Sequence, residues 1–302
     1  MAALAQPYLA APDAGLRALF RGNLDESRQL LAAARQREAD TDGADPVIPA
    51  LGLALCPVIE SLISGSNVTL SRALEACDAC IDGDIADQRS RNQSVVDNAL
   101  DSIPIAGSMM SLLWSPLQLM GDTMADLANG TDSADRESHL QCASGAEGIL
   151  RSIKSILLFM MGSTTRAVLE LRSAYRAFLA IPESTTSEWA RDCRSLGLGN
   201  FAVMLSYVEP AFAATFNAVS LSFGMSREDG MALLDAASNR CVAKYNVPTI
   251  FATISLSMLK LVQHARLAGN TRKSQARAQV LLDAKVCIQK LLQVDSRNMF
   301  GN

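Results

Sequence analysis

Cysteines and histidines are the residues of this chain whose chemistry could make a reactive site. Cys77 and Cys80 form a C-x-x-C pair, a spacing found in thiol redox centres and in one half of a zinc site. The other five cysteines are solitary, so a second half for a tetrahedral zinc site is missing. The chain has only two histidines, His139 and His264, which leaves little for general-base catalysis or metal binding.

Carboxylates and glycines supply two further candidates for chemistry. The adjacent pairs Asp25–Glu26 and Glu228–Asp229 stand where amphipathic stretches begin, and acidic residues in the first turn of a helix complement its dipole. The glycine-rich stretch GLGNFA (197–202) lacks the G-x-x-x-x-G-K-[ST] signature of a phosphate loop and follows no predicted strand. We therefore expect no enzyme, no metal and no cofactor.

The elements that position these residues are predicted to be helices. Apolar residues recur at spacings of three and four, and alternating runs of β-branched residues are missing. Each predicted start follows an apolar stretch and a short turn, so the sequence predicts helix hairpins. The predicted helix starts are Asp25, Thr69 or Ser71, Ser163 or Thr164, and Ser226.

A pattern of small and apolar residues recurs in the second helix of each predicted hairpin. Its three positions, at offsets of four and seven, lie on one helix face, where small side chains allow a neighbouring helix to approach closely. The four sets are Ser27, Leu31 and Ala34; Ala73, Cys77 and Cys80; Ala167, Leu171 and Ala174; and Gly230, Leu234 and Ala237. We therefore interpret the C-x-x-C pair as part of a packing face.

The spacing of these sets predicts the fold class. Successive sets are 46, 94 and 63 residues apart, whereas a regular tetratricopeptide array repeats every ~34 residues. We predict an all-α fold of irregular, tetratricopeptide-like hairpins in one continuous, α-solenoid-like array. Residues 1–83 and 139–302 would form the hairpins, and residues 84–138 an insertion with an apolar, methionine-rich helical segment.

Charge is distributed unevenly along the chain. The net charge is −4, yet residues 244–302 contain nine Lys or Arg and two acidic residues. This asymmetry predicts contact with an acidic partner or anionic headgroups, unless the basic residues only form a solvated face. The candidates for this contact are Lys260, Arg266, Arg272, Lys273 and Arg277. The acidic overall charge argues against a nucleic-acid partner.

One apolar stretch is long enough to be considered as a membrane span. Residues 102–121 reach the ~20 residues that a spanning helix needs, but they include two prolines, two glycines and four serines. We predict no span, and this segment is the candidate for lying on or in a bilayer. The odd number of cysteines and the lack of a basic residue before Arg17 predict a cytoplasmic protein that is not secreted.

The apolar stretch LGLGNFAVMLSYVEP (196–210) is predicted to be the first helix of the fourth hairpin. Gly197 and Gly199 would permit close helix contact, and Pro210 would end the helix. Glu209 beside it would then require water or a polar partner, which a lipid core does not offer.

Several segments resemble the N-terminal half of the tetratricopeptide repeat protein 39 family, which includes the fungal inclusion body clearance protein. They are LFRGNLDESRQLL, SRALEACDACIDG, HLQCASGAEGILRSIKSILLFM with AVLELRSAYRAF, and GLGNFAVMLSYVEPAFAATFNAVSLSFGMSREDGMALLDAAS. The last is the most specific, through Leu205, Ser206, Pro210, Phe223, Gly224, Ser226, Arg227, Glu228, Gly230, Leu233 and Leu234. The resemblance covers approximately residues 15–290, and the family's more regular C-terminal repeats do not follow.

The resemblance implies a non-enzymatic adaptor or scaffold with a role in lipid homeostasis, at lipid droplets, mitochondria or inclusion bodies. Stacked hairpins present extended surfaces to protein partners, and we expect such a partner here without its identity. The alternative is a lipid-binding or peripheral membrane protein that uses an apolar cavity or residues 102–121.

Overall fold

A computed structural model of the chain describes residues 10–39, 47–90, 132–207, 225–241, 246–267 and 274–299. These ranges contain helices and no strands, which confirms the predicted all-α class. The helices are α1 (Ala10–Phe20), α2 (Leu24–Ala39), α3 (Val47–Ser64), α4 (Asn67–Ala79), α5 (Asp132–Met160), α6 (Thr164–Leu179), α7 (Glu188–Tyr207), α8 (Arg227–Arg240), α9 (Val247–Leu267) and α10 (Ser274–Met299).

Helices that follow one another in the described ranges pack in pairs. The pairs are α1/α2, α3/α4, α5/α6, α7/α8 and α9/α10, and neighbouring pairs join through contacts such as α2 with α3 and α8 with α9. This arrangement confirms a fold of repeated helix hairpins.

Three hairpin turns use the same local chemistry. Gly22, Gly65 and Gly162 have φ angles of 80°, 63° and 79°, a left-handed conformation that glycine adopts without steric cost. The next residue, Asn or Ser in each case, opens the following helix. The glycine ends one helix and its neighbour starts the next, so two residues reverse the chain.

The predicted helix starts were partly right. Ser226 forms a capping box with Asp229, and Ser163 precedes α6 as predicted. For α4 the cap is Ser66, whose side chain accepts a hydrogen bond from the Thr69 amide, so the predicted Thr69 or Ser71 was wrong. Helix α2 starts at Leu24, which places Asp25 in its first turn rather than before it. Both errors arise because several polar residues near each turn qualify as caps.

Helix α4 continues beyond Ala79. Residues Cys80–Ile85 form a π-helix, and α-helix then extends to residue 90. Since α5 begins at Asp132, both ends of the predicted insertion 84–138 are helical. Its central part, residues 91–131 with the apolar segment 102–121, lies outside the described residues.

One large hydrophobic cluster includes residues from α1 through α10. Helix α3 lies deep in it and is long and apolar enough to cross a membrane by length and composition alone, but 56% of it is buried inside the protein. The burial is what a core helix of a helical array requires. Phe20 at the end of α1 also contacts Phe251 of α9 edge to face, with ring centroids 6.1 Å apart, so the first hairpin touches the last.

Candidate functional site

The residues of the small-residue pattern lie at helix contacts. Eleven of the twelve are buried and Leu171 is half-buried. The Ser27 hydroxyl donates a hydrogen bond to the Gly15 carbonyl oxygen at 2.9 Å, which joins α2 to α1. A Cβ atom added to Gly230 would stand 2.6 Å from Ala202 Cβ, so α8 and α7 approach more closely there than any larger residue permits.

The glycines of the stretch 196–210 also stand at close contacts. A Cβ atom on Gly199 would lie 2.8 Å from Leu234 Cγ, and one on Gly197 would lie 2.2 Å from the Phe178 ring. The helix that contains them begins earlier than predicted, at Glu188. Glu209 and Pro210 lie outside the described residues.

The C-x-x-C pair is poorly suited to thiol chemistry. Cys77 is 0% and Cys80 4% exposed. Burial, aided by the nearby carboxylates Asp78 and Asp84, raises the pKa of both thiols to about 12. Because the thiolate is the nucleophile and the metal ligand, these cysteines are inert at neutral pH. All seven cysteines are buried, and none of them is in a disulfide.

We expect the native protein at pH 8 to leave its seven thiols unmodified by a chromophoric disulfide reagent over an hour. Unfolding in denaturant should expose all seven, because burial and not covalent bonding protects them. The absorbance of the released chromophore counts the reactive thiols. Rapid modification of Cys77 or Cys80 in the native protein, located by mass spectrometry, would contradict their placement as packing residues.

A chain of ion pairs links α4, α5 and α6. Lys154 Nζ lies 2.5 Å from Asp78 Oδ1 and 2.7 Å from Glu170 Oε1. Arg151 joins Glu170, at 2.9 Å, to Glu147, at 2.7 Å. Arg89 completes the chain by pairing with Glu147. Three cations and three anions therefore neutralise one another in a half-buried site.

The pKa values in this network favour the ionised forms. Burial would raise the pKa of Glu170, but hydrogen bonds from Lys154 and Arg151 outweigh it and leave that pKa below its usual value. Burial would likewise lower the pKa of Lys154, and Asp78 and Glu170 outweigh it to leave that pKa raised. The Glu170 carboxylate is thus held ionised by two cations, which suits a structural clamp rather than an acid or base that exchanges protons.

We expect Lys154→Met to lower the free energy of unfolding at pH 7 by about 2 kcal/mol, since Glu170 and Asp78 lose a partner inside the protein. Because the pKa of Glu170 is lowered in the folded protein, its contribution to stability is present above the pKa of an unfolded Glu and is lost as pH falls through the folded-state pKa. Because the pKa of Lys154 is raised, its contribution is present below the pKa of an unfolded Lys and is lost as pH rises through the folded-state pKa. The deficit should therefore be largest between roughly pH 5 and 10 and shrink below about pH 4.

Urea titrations at pH 7 and pH 3.5 measure this difference, and Lys285→Met is the matched control. Lys285 is exposed and forms no ion pair with a residue that the structure describes, so the control should change stability by less than about 0.5 kcal/mol. A deficit equal at both pH values would show that the lost ion pairs are not its cause.

Among the histidines and the paired carboxylates, His264 joins two helices and Asp229 caps one. The His264 Nδ1 lies 3.1 Å from the Arg277 carbonyl oxygen, and Arg277 Nε donates to His264 Nε2 at 3.3 Å, so both ring nitrogens contact Arg277. His139 lies near the start of α5 and is half-buried. Asp229 serves the capping box of α8, and Asp25 pairs with Arg28 on the surface.

The described residues offer no metal site, and one groove that they form does not suit a lipid chain. These residues contain no cluster of three or more His, Cys, Asp or Glu that could hold a metal ion. An open groove on α1 and α2 is lined partly by Arg17, Arg21 and Glu26. A lipid chain needs a dry apolar pocket, so this charged groove does not support the lipid-cavity alternative.

The basic candidates lie on the last hairpin. Lys260 forms an ion pair with Asp283 at 3.3 Å, Arg277 is bonded to His264, and Arg266 is exposed. Arg272 and Lys273 lie outside the described residues. Lys260 and Arg277 therefore already have partners in the chain.

Exposed apolar side chains are concentrated on the same hairpin. Of eighteen large hydrophobic residues that the described part of the chain exposes, eight lie on α9 and α10. Their exposure was not predicted from the sequence, because Ile254, Met258 and Leu261 have the spacing of a core face. The signal that could have indicated exposure is Lys285, which interrupts the corresponding stripe of α10.

Two contacts establish the register of this hairpin. Lys260 pairs with Asp283, and the ring of His264 meets the Arg277 carbonyl oxygen. Since α9 and α10 are antiparallel, residues equally distant from these contacts along the two helices lie at the same level. Thr253 of α9 hydrogen-bonds Ser238 of α8 at 3.1 Å, which identifies the side of α9 that faces the protein.

Six exposed residues to one side of this buried face form what we call the outer strip. They are Ile254, Met258 and Leu261 on α9 and Leu281, Lys285 and Ile288 on α10. On each helix the spacing is four and three, which places the three residues on one face. By the register, Ile254 is level with Ile288, Met258 with Lys285, and Leu261 with Leu281. The exposed fractions of the five apolar residues run from 37% for Leu261 to 61% for Met258.

Comparison of the chain with protein families, with curated proteins and with solved structures gives no match. The resemblance to the tetratricopeptide repeat protein 39 family therefore stays a prediction, and the outer strip has to be interpreted from its own geometry.

Proposed function

We propose that this chain is a non-enzymatic helical-repeat adaptor that binds protein partners through the exposed surfaces of its hairpins. The observation that carries the proposal is the concentration of exposed apolar side chains on the last hairpin, eight of the eighteen in the described residues. Surface hydrophobic residues scattered singly need no explanation, whereas a contiguous set usually marks an interaction site.

The ionisable groups of the described residues add support. The carboxylates of the α4–α6 network are each paired with a cation, and the thiols of Cys77 and Cys80 are protonated at neutral pH. An enzyme needs a nucleophile or a base within reach of substrate. Binding requires neither, and it makes direct use of an apolar surface.

Action at lipid droplets or mitochondria is the part of the proposal that rests on the family resemblance alone. The alternative of peripheral membrane binding through residues 102–121 concerns residues outside those described. The basic residues of the last hairpin favour a negatively charged partner over a positively charged one.

Proximity labelling in cells with the full chain tests the proposed function. We expect a reproducible set of labelled proteins that is not labelled by the same enzyme fused to an unrelated helical protein of similar size. Turnover of a small molecule by the purified chain, abolished by a point mutation that leaves the helical content intact, would contradict it.

A further inference from the structure

The outer strip has the geometry of a site for one more helix. Its residues lie at matching levels on two antiparallel helices, and on each helix they have the four-and-three spacing of a helix-packing seam. Among the described residues, a helix of one hairpin packs on a helix of the next, as α9 does on α8. A third helix laid between α9 and α10 would cover Ile254, Leu261, Leu281 and Ile288 together.

The chemistry of the strip is unusual at one position. Lys285 stands at its centre, level with Met258, and pairs with no carboxylate of the described residues. The segment around it is basic, with nine Lys or Arg and two acidic residues over 244–302. Asp283, the acidic residue nearest to Lys285 in sequence, is already paired with Lys260. A partner that covers the strip must therefore bring a negative charge to Lys285 or bury an unpaired ammonium group.

We infer that the outer strip binds an amphipathic helix that carries a carboxylate in the middle of its apolar stripe. The inference rests on the proposed binding function and specifies the partner of one surface. The flanking apolar pairs supply burial, and the carboxylate opposite Lys285 selects register and partner, as polar residues do at the seams of coiled coils.

Two other occupants fit less well. A second copy packed through the same strip would bring two Lys285 side chains near one seam, and like charges there oppose association. A membrane could bury the apolar pairs, but Lys285 lies at the centre of the same face and would be pushed toward the acyl chains. A charged ammonium group is least favourable there. Lys285 therefore distinguishes the three cases.

The test uses two designed helical peptides as probes for the full chain. Both have 25 residues and a leucine stripe, and they differ at the central stripe position, which is Glu in one and Lys in the other. Fluorescence anisotropy should show the Glu-centred peptide binding about tenfold more tightly than the Lys-centred one, because one pairs with Lys285 and the other repels it. The Lys285→Glu variant should reverse this preference.

Matched substitutions on one helix locate the site. Leu281→Ser removes a strip residue and should weaken binding of the Glu-centred peptide about tenfold. Leu282→Ser changes the next residue, which is similarly exposed but projects from another side of α10, and should leave binding unchanged. Circular dichroism confirms that each variant keeps its helical content.

Two peptide results would overturn the inference: equal binding of both peptides by the full chain, or no reversal of the preference in Lys285→Glu. Two results with Leu281→Ser would also overturn it. One is that the unsubstituted chain is a dimer and the variant is not, and the other is that the variant no longer binds vesicles with 30% phosphatidylserine while its peptide binding is unaffected. If these occur while proximity labelling still recovers specific partners, the partner chemistry of the strip is wrong and the adaptor function stands. If labelling recovers no specific partner, the adaptor function itself fails.

Discussion

Replacing Asp192 with alanine is expected to lower the free energy of unfolding by about 3 kcal/mol. Asp192 lies on α7 and is 1% exposed. Its Oδ1 accepts hydrogen bonds from Arg240 Nε at 2.7 Å and Nη2 at 2.6 Å, and its Oδ2 accepts one from Asn246 Nδ2 at 3.2 Å. One carboxylate therefore joins α7 to the end of α8 and to the start of α9.

Asn246 cannot readily adapt to the loss. Its Oδ1 accepts the Thr249 amide at 2.9 Å, which caps α9 and fixes the orientation of the side-chain amide. Asp192→Asn would keep one acceptor but set its own NH2 group beside a donor, either Arg240 or Asn246. We therefore expect Asp192→Asn to cost about 1–2 kcal/mol, less than alanine.

The pH dependence of this prediction differs from that of the ion-pair network. Burial raises the pKa of Asp192, although Arg240 and Asn246 oppose the shift. A raised carboxyl pKa in the folded state stabilises the protein more as pH falls through that value. The cost of Asp192→Ala should accordingly persist below pH 4, where the cost of Lys154→Met shrinks.

Denaturant titrations of both Asp192 variants, followed by circular dichroism, give the free energies. Asp25→Ala is the control, because Asp25 also pairs with an arginine, at 3.3 Å, but has a side chain 91% exposed. It should change stability by less than about 0.5 kcal/mol. A cost for Asp192→Ala no greater than that of the control would refute the role of Asp192 as a helix junction.

Replacing Gly197 with alanine is expected to cost about 3 kcal/mol through overpacking. The ring of Phe178, 1% exposed, lies between glycines on two helices. A Cβ atom on Gly197 of α7 would lie 2.2 Å from Phe178 Cδ2, and one on Gly148 of α5 would lie 2.5 Å from Cε1. The ring cannot move away from one glycine without moving toward the other, so the strain spreads into the backbone.

Two comparisons test the mechanism of this effect. In a Phe178→Leu background, where the ring is absent, Gly197→Ala should cost at least about 1 kcal/mol less, which a double-mutant cycle measures. Gly83→Ala adds a Cβ atom at a helical glycine with no atom within 4 Å, and should be neutral or stabilise by up to about 1 kcal/mol. Equal costs in both backgrounds would contradict the packing of Phe178 against Gly197.

The sequence alone was sufficient for the features that depend on neighbours along the chain. The three-and-four spacing of apolar residues predicted the helices, and offsets of four and seven identified Ala73, Cys77 and Ala167, each of which the structure buries completely. Ser226 could be predicted as a cap because its hydrogen bond to the Asp229 amide spans three residues. These interactions are local, so their sequence signals are local.

Contacts between distant parts of the chain had no such signal. The ion-pair network brings Asp78 and Arg89 to Lys154 and Glu147 of α5, and nothing in the residue types indicates which of many charges will meet. The space for the Phe178 ring depends on Gly148 and Gly197, which come from two other helices and face the same ring. The contact between Phe20 and Phe251 depends on how the whole array curves.

By itself, then, the sequence determined that this protein is a stack of helix hairpins whose small residues set the spacing of the helices, because periodicity along a helix defines its faces. Only the tertiary structure decided which apolar faces are covered. Ala252 and Leu256 of α9 are buried, whereas Ile254 and Met258 on the same helix are exposed, although all four are apolar. Burial depends on where the neighbouring helices stop, which is a property of the assembled array and not of any one helix.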